Sequence, residues 1–252
     1  MKFVRFKTDN YAYGVLENDE ISIYQGDIYT DAKPTGKSVA LKDVDLLPPC
    51  TGNFFALWNN SRAQIEKLDR EIPDEALFFM KPSSAFLTHG QTIVYPKGQS
   101  ERVVLEGELG IVIGKACKNV TAEQAQSHIF GYTIVNDVTA QDIVKRDSSY
   151  PQYVRAKGFD TFGVFGPVIE TNVDLSAIRI QSFINGKICQ DFMVTDLIFN
   201  PYEIVADLSR TMTLKPGDII ACGTSLGVES IVPGDTVEIR IDGVGSLINP
   251  VQ

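Results

Sequence analysis

Histidine is nearly absent from this 252-residue chain: His89 and His128 are the only two. Cysteine is sparse, and Cys50, Cys117, Cys189 and Cys222 lie far apart with no Cys-x-x-Cys pair. That excludes a finger-type zinc site and reads as four buried reduced thiols rather than disulfides. Uninterrupted apolar runs never reach the roughly 20 residues a membrane-spanning helix needs. The opening MKFVRFKTDN lacks the apolar centre of a signal peptide, so the expected location is cytoplasmic. Basic residues are outnumbered, 23 Lys and Arg against 32 Asp and Glu, for a net charge of -9. A chain of that sign repels phosphate backbones and anionic lipid, so neither nucleic acid nor a membrane surface is an expected partner. A small anionic substrate would need a local positive centre, such as a metal ion or a buried lysine.

The chain is 44% hydrophobic and 22% charged, the balance of an ordinary globular protein. Residues 1–48 hold short apolar runs around Val4, Phe6, Tyr13, Val15 and Ile21, broken by Asn, Asp and Gly turns. They predict a small N-terminal β module. Leu46-Leu-Pro-Pro-Cys50 reads as a linker, and residues 49–252 as the main domain. There, strand-like runs dominate, among them TIVY (92–95) and the long RVVLEGELGIVIG (102–114). Helices are expected over Arg62–Leu68, after a capping box at Thr121 and Gln124, and over Pro201–Met212. Mostly strands with few helices predict a mainly β, α+β architecture rather than alternating β/α units.

Chemistry concentrates where carboxylates interrupt apolar runs. Glu106 and Glu108 stand at i, i+2, which on one strand puts both on the same face. Such a pair is costly among core residues unless a cation or proton neutralises it, although a solvated strand face has the same pattern. Asp137 ends the apolar run YTIVND, where a turn or helix cap is the plainer role. Together the three carboxylates make a hard-oxygen set suited to Mg²⁺ or Mn²⁺.

The order LEGELGIVIGK (105–115), HIFGYTIVNDVTAQD (128–142), RAKGFDTFGVFGP (155–167), MTLKPGDIIACGTSLGV (212–228) and VPGDTVEIRIDGVGSLINPV (232–251) resembles the fumarylacetoacetate hydrolase superfamily. The likeness spans about residues 53 to 251. It implies a mixed β-sandwich roll with the metal site in its mouth, a homodimer, and no organic cofactor. It implies Glu106, Glu108 and Asp137 as metal ligands and Lys157, in Lys157-Gly-Phe-Asp160, as the catalytic lysine beside the metal. Gly223 and Thr224 match the family's Gly-Thr pair, whose Thr contacts the substrate carboxylate. Asn59 matches a substrate-binding Asn, and Gln141 stands where many members carry Arg.

The resemblance also carries expectations about reaction. The family chemistry polarises a 2-oxo acid through a divalent cation and stores the electrons of a breaking bond as an enolate. It serves C–C hydrolysis of acylpyruvates or fumarylacetoacetate-like 2,4-dioxo acids in aromatic-compound catabolism, which is the first expectation. Hydrolytic members activate water with a His-x-x-Glu pair; here Glu66 keeps the Glu position, but Ala63 replaces His and Arg62 stands beside it. Glu66 is therefore the expected catalytic partner of Lys157, and Arg62 a substrate-binding candidate. The alternatives are isomerase or decarboxylase action on 2-hydroxyhepta-2,4-diene-1,7-dioate or oxaloacetate-like acids, and a metal-binding but catalytically silent member.

Overall fold

Runs of β-branched and aromatic residues between Gly, Asn and Asp turns form strands here for the expected reason: branched and aromatic side chains suit a pleated, half-buried surface. The computed structural model describes all 252 residues, mostly as strand with five short α-helices. Its largest sheet follows the order Lys33–Ala40, Glu20–Gln25, Tyr11–Glu17, Lys2–Lys7, Gly163–Glu170, Ile129–Asp137, Gly107–Ile113, Ile219–Ala221, Phe54–Trp58, Leu77–Lys81. Neighbours along that path are antiparallel, except that Ile219–Ala221 lies parallel to Phe54–Trp58. Val103–Leu105 pairs with Thr139–Ala140 and Glu229–Ile231 in a small second sheet. Lys187–Met193, Arg179–Ile184, Thr236–Ile241 and Gly245–Pro250 form a third.

The first 48 residues contribute strands to the main sheet itself. Lys2 and Phe3 pair with Glu170 and Ile169, and the N-terminal ammonium reaches Glu170 Oε1 at 2.7 Å. Apolar packing covers both faces of the sheet: Leu109, Ile111 and Ile134 belong to one large cluster, Val112, Val135 and Phe165 to a second. Truncating one of these fully buried Ile or Leu side chains to Ala is worth about 2–5 kcal/mol, lost contact plus cavity.

Helices form where caps and spacing favour them. Asn200 and Glu203 make a reciprocal capping box, and Pro201 opens Pro201–Thr211, which buries Ile204, Val205 and Leu208. Thr121 and Gln124 make the expected box before Ala122–Ala125. Ser61 caps Arg62–Leu68 by accepting from the Gln64 amide, and Asp69 ends that helix in left-handed conformation at φ 48°. No helix is long and apolar enough to cross a membrane.

Two readings of the sequence change. TIVY (92–95) forms no strand, only a single bridge from Ile93 to Val251. The run 103–113 is two strands in two sheets, broken at Glu106. At the break the amides leave the ladder: Glu106 N–H donates to Asn136 Oδ1 (3.1 Å) and Gly107 N–H to Gln190 Oε1 (2.9 Å). Glu106 and Glu108 thus converge across a bend rather than along one straight strand face.

Candidate metal centre and its cavity

Four elements bring charge to one point. The bend supplies Glu106, the following strand Glu108, the end of Ile129–Asp137 supplies Asp137, and the end of helix Tyr153–Lys157 supplies Lys157. Carboxylate oxygens of Glu106, Glu108 and Asp137 lie within 4.8 Å of one another. Lys157 Nζ donates to Glu106 Oε2, Asp137 Oδ2 and Thr139 Oγ1, each at 2.6 Å. A second ammonium, Lys81, is buried against the other Asp137 oxygen, Oδ1, and donates to the Val138 carbonyl at 3.2 Å.

Burial and neighbouring charge divide these groups. Burial alone would raise the Asp137 carboxyl, but the Lys157 and Lys81 ammonium groups hold it below the usual carboxylate range. Glu108 is pushed well above that range, first by burial and then by the Asp137 and Glu106 charges; Lys157 and the Gly223 N–H oppose this only in part. Burial would lower Lys157, yet Asp137 and Glu106 raise it, so in the metal-free protein it is held as an ammonium. Lys81 is lowered, chiefly by burial, against the attraction of Asp137.

Three carboxylates therefore face two lysines, and Glu108 is the one whose negative charge is costly to hold without a further cation. Its Oε2 accepts the Gly223 N–H at 2.6 Å, while Oε1 makes no hydrogen bond and Glu108 lines the cavity. An all-oxygen donor set with surplus negative charge fits a hard divalent cation such as Mg²⁺ or Mn²⁺, not a softer thiolate- or imidazole-bound metal.

The centre opens into a cavity of about 650 Å³. Glu106, Glu108, Lys157 and Thr224 line it; Asp137 lies fully buried behind them. Trp58 and Tyr153 form an aromatic wall; Tyr153 stacks on Phe79 at 5.6 Å, and the Lys157 ammonium sits 5.0 Å from the Phe79 ring centre. At the rim stand Lys67, Arg70, Arg102 and Lys145, none of them in an ion pair.

The remaining candidates fall in three places. Gly223 and Thr224 are at the centre, and Thr224 Oγ1 donates to the Gly107 carbonyl (3.0 Å) while accepting from Gln190 Nε2 (2.8 Å). Asn59 and Gln141 line the cavity; Asn59 has φ 62°, and its Oδ1 accepts from Arg70 Nη1 at 3.0 Å. Glu66 and Arg62 are exposed on their helix and do not line the cavity, and Arg62 donates instead to the Ile198 carbonyl at 3.3 Å. At the position of the family histidine, the Ala63 N–H is bound to Asp196 Oδ1 at 3.1 Å. Neither histidine lines the cavity: His89 Nδ1 accepts from the Ile248 amide at 3.2 Å, and His128 Nδ1 faces the Lys115 carbonyl at 3.3 Å.

Sequence reasoning missed Lys81, Gln190 and Arg70. Lys81 had a signal, because on strand Leu77–Lys81 it alternates in phase with buried Phe79 and out of phase with exposed Phe78 and Met80. Gln190 joins the site from the third sheet: its Oε1 accepts Gly107 N–H and Ser182 Oγ–H, which leaves Nε2 to hold Thr224 and the Ser225 carbonyl.

This geometry can be compared with known proteins. The sequence pattern of the fumarylacetoacetate (FAA) hydrolase C-terminal region matches residues 52–252. The chain belongs to the fumarylacetoacetate hydrolase family. Residues 1–49 match a second pattern, the Rv2993c-like N-terminal region. The fold is shared with a 5-carboxymethyl-2-hydroxymuconate delta-isomerase from Mycobacterium smegmatis, at TM-score 0.92 and 36% identity over 100% of this chain and 99% of that one. A 4-hydroxyphenylacetate degradation bifunctional isomerase/decarboxylase of Salmonella dublin is 37% identical over 80% of this chain, which spans 47% of that longer protein. An oxaloacetate tautomerase of Bacillus subtilis is 33% identical over 81% of this chain and 71% of its own length. The named family members among these relatives are enzymes.

Proposed function

We propose that this fumarylacetoacetate hydrolase family protein is a divalent-metal-dependent isomerase that shifts a proton, and with it a double bond, in a 2-oxo acid or its 2-hydroxy-diene form. The observation carrying this reading is the cavity's composition: fixed positive charge for an enolate, and no imidazole to make water a nucleophile, so that the shifted proton leaves one substrate carbon for cavity water and returns from water to the other. Its relatives that isomerise or tautomerise such acids support the same choice.

Glu106, Glu108 and Asp137 would hold the cation. When bound, it supplies Lewis-acid polarisation of the substrate carbonyl and offsets the surplus carboxylate charge. Lys157 adds a positive charge beside the position where enolate oxygen develops, and its three hydrogen bonds fix it there without reorganisation. Lys81, behind Asp137, keeps that carboxylate ionised and aimed. Thr224, held by Gln190 from its acceptor side, now gives its hydroxyl proton to the Gly107 carbonyl and would have to turn it from that carbonyl to serve an anionic substrate oxygen. Trp58, Tyr153 and Phe79 exclude water from one side of the cavity and so strengthen these interactions.

Hydrolysis requires a base for water, typically worth 10²–10⁴-fold. Glu66 and Arg62, beside the Ala63 position, lie outside the cavity lining. The C–C hydrolase expectation therefore makes the competing prediction. Metal-stripped protein should be given a 2-hydroxydienedioate, oxaloacetate and acetylpyruvate in turn, with and without Mg²⁺ or Mn²⁺, and the products read by NMR. Metal-dependent double-bond migration or keto–enol exchange, with acetylpyruvate intact, is the expected result. Metal-dependent release of two acids from acetylpyruvate overturns the isomerase reading.

A further inference from the structure

In a chain of net charge -9, four rim cations without carboxylate partners are an unusual concentration. They differ in how firmly they are held. Lys67 and Lys145 are exposed and unbonded, and exposed Arg102 donates Nε to Ser230 Oγ at 3.2 Å. Arg70 is half-buried and fixed on two sides: its guanidinium lies 4.9 Å from the Trp58 ring centre, and Nη1 donates to Asn59 Oδ1 at 3.0 Å. Its backbone is fixed too, since Arg70 N–H donates to the Ile65 carbonyl at 3.1 Å and closes the end of helix Arg62–Leu68. Asn59, which presents that oxygen, is held at φ 62° between Trp58 and buried Asn60.

A planar guanidinium held over an aromatic ring and tied to one amide oxygen, with other N–H groups uncommitted, is arranged for bidentate capture of a carboxylate. We infer that Arg70 determines specificity in this cavity by binding a second carboxylate, at the end of the substrate remote from Glu106, Glu108 and Lys157. Asn59 is a positioning residue for Arg70. The inference rests on the reading of the cavity as a 2-oxo-acid site and deepens it to dicarboxylic 2-oxo acids. It also explains how Gln141, uncharged at the rim, is tolerated: the cation comes from the loop after Arg62–Leu68 instead.

Trp58 is the only tryptophan, so its fluorescence reports on this cavity alone. The test is a fluorescence titration in Mg²⁺ with 2-oxoglutarate and with 2-oxopentanoate, which share a five-carbon 2-oxo acid and differ in the distal carboxylate. Wild type should bind 2-oxoglutarate at least about tenfold more tightly, the size of one charge-assisted contact. Arg70→Gln should abolish that preference by weakening 2-oxoglutarate alone. Asn59→Gly, which keeps the positive φ but removes the oxygen, should reduce the preference without eliminating it. Absence of preference in the wild type, equal weakening of both ligands by Arg70→Gln, or a preference lost in Arg102→Gln but kept in Arg70→Gln each overturns the inference. Because binding is read without turnover, failure here is distinct from failure of the isomerase reading, which the NMR products decide.

Discussion

The backbone N–H of Gly223 donates to Glu108 Oε2 across 2.6 Å, tying the loop after strand Ile219–Ala221 to the most deeply buried cavity carboxylate. Gly223 has φ +95°, and a Cβ there would come within 3.0 Å of Asn60 Cβ. Gly223→Ala is expected to lower stability by about 1–3 kcal/mol through backbone strain. By disturbing the amide that orients Glu108 it should also weaken Mn²⁺ binding about tenfold or more. Denaturant unfolding and Mn²⁺ titration check both; unchanged Mn²⁺ affinity in a destabilised variant would reduce Gly223 to a turn residue.

Lys157→Met separates electrostatic catalysis from metal retention. Turnover should fall by about 10²–10³-fold, as when one preorganised donor is removed from a developing oxyanion. Metal-free protein should lose about 3–5 kcal/mol, because buried Glu106 and Asp137 lose their shared counter-charge. Divalent affinity should not fall, since a competing cation has gone. Parallel loss of Mn²⁺ binding and turnover would contradict this assignment.

The raised Glu108 carboxyl sets a pH dependence with a definite sign. Unfolded, it titrates near 4.3, and folded, well above that. Above the unfolded value the native state therefore binds more protons, and metal-free stability contributed by this group declines as pH rises until Glu108 ionises. Asp137 behaves oppositely: its contribution is present above its unfolded value and disappears only as pH falls through its lowered native one. Since divalent ions bind the ionised form, Mg²⁺ should raise the melting temperature more at about pH 7.5 than at about pH 5. Equal increments at both pH values would show that no carboxyl of the centre ionises on Mg²⁺ binding in that interval.

Gln190→Leu keeps the volume but deletes the amide that joins Gly107, Ser182 and Thr224. Each buried group left unpaired costs about 1–3 kcal/mol. Weaker 2-oxoglutarate binding is expected as well, because Thr224 loses the partner that orients its hydroxyl. Wild-type affinity in a merely destabilised variant would confine Gln190 to scaffolding.

What could be read from sequence follows from how local each signal is. Glu106, Glu108 and Asp137 stand out because ionisable residues interrupt apolar runs, and the helices begun by the Thr121 capping box and by Pro201 announce themselves within a few residues. The bend at Glu106 does not, because Val103–Ile113 is apolar on both sides of it and the chain changes sheets through contacts with Asn136 and Gln190, distant in sequence. The same holds for the first strand, whose pairing with Gly163–Glu170 is hidden behind Pro48-Pro49. Arg70 looks like one more charge in a polar segment until Trp58 and Asn59 are placed beside it.

Strand Ile219–Ala221 lies between Gly107–Ile113 and Phe54–Trp58, two strands that come much earlier in the chain. During synthesis, those earlier strands leave the ribosome with their facing edges unpaired, a template for pairing with the wrong chain. Only when residues 219–221 emerge can the gap close, and the same event delivers Gly223 and Thr224 to Glu108 and Gly107. The centre is therefore assembled late, by an insertion of high contact order, and premature termination before this strand would release a chain holding all three carboxylates of the centre but no finished cavity.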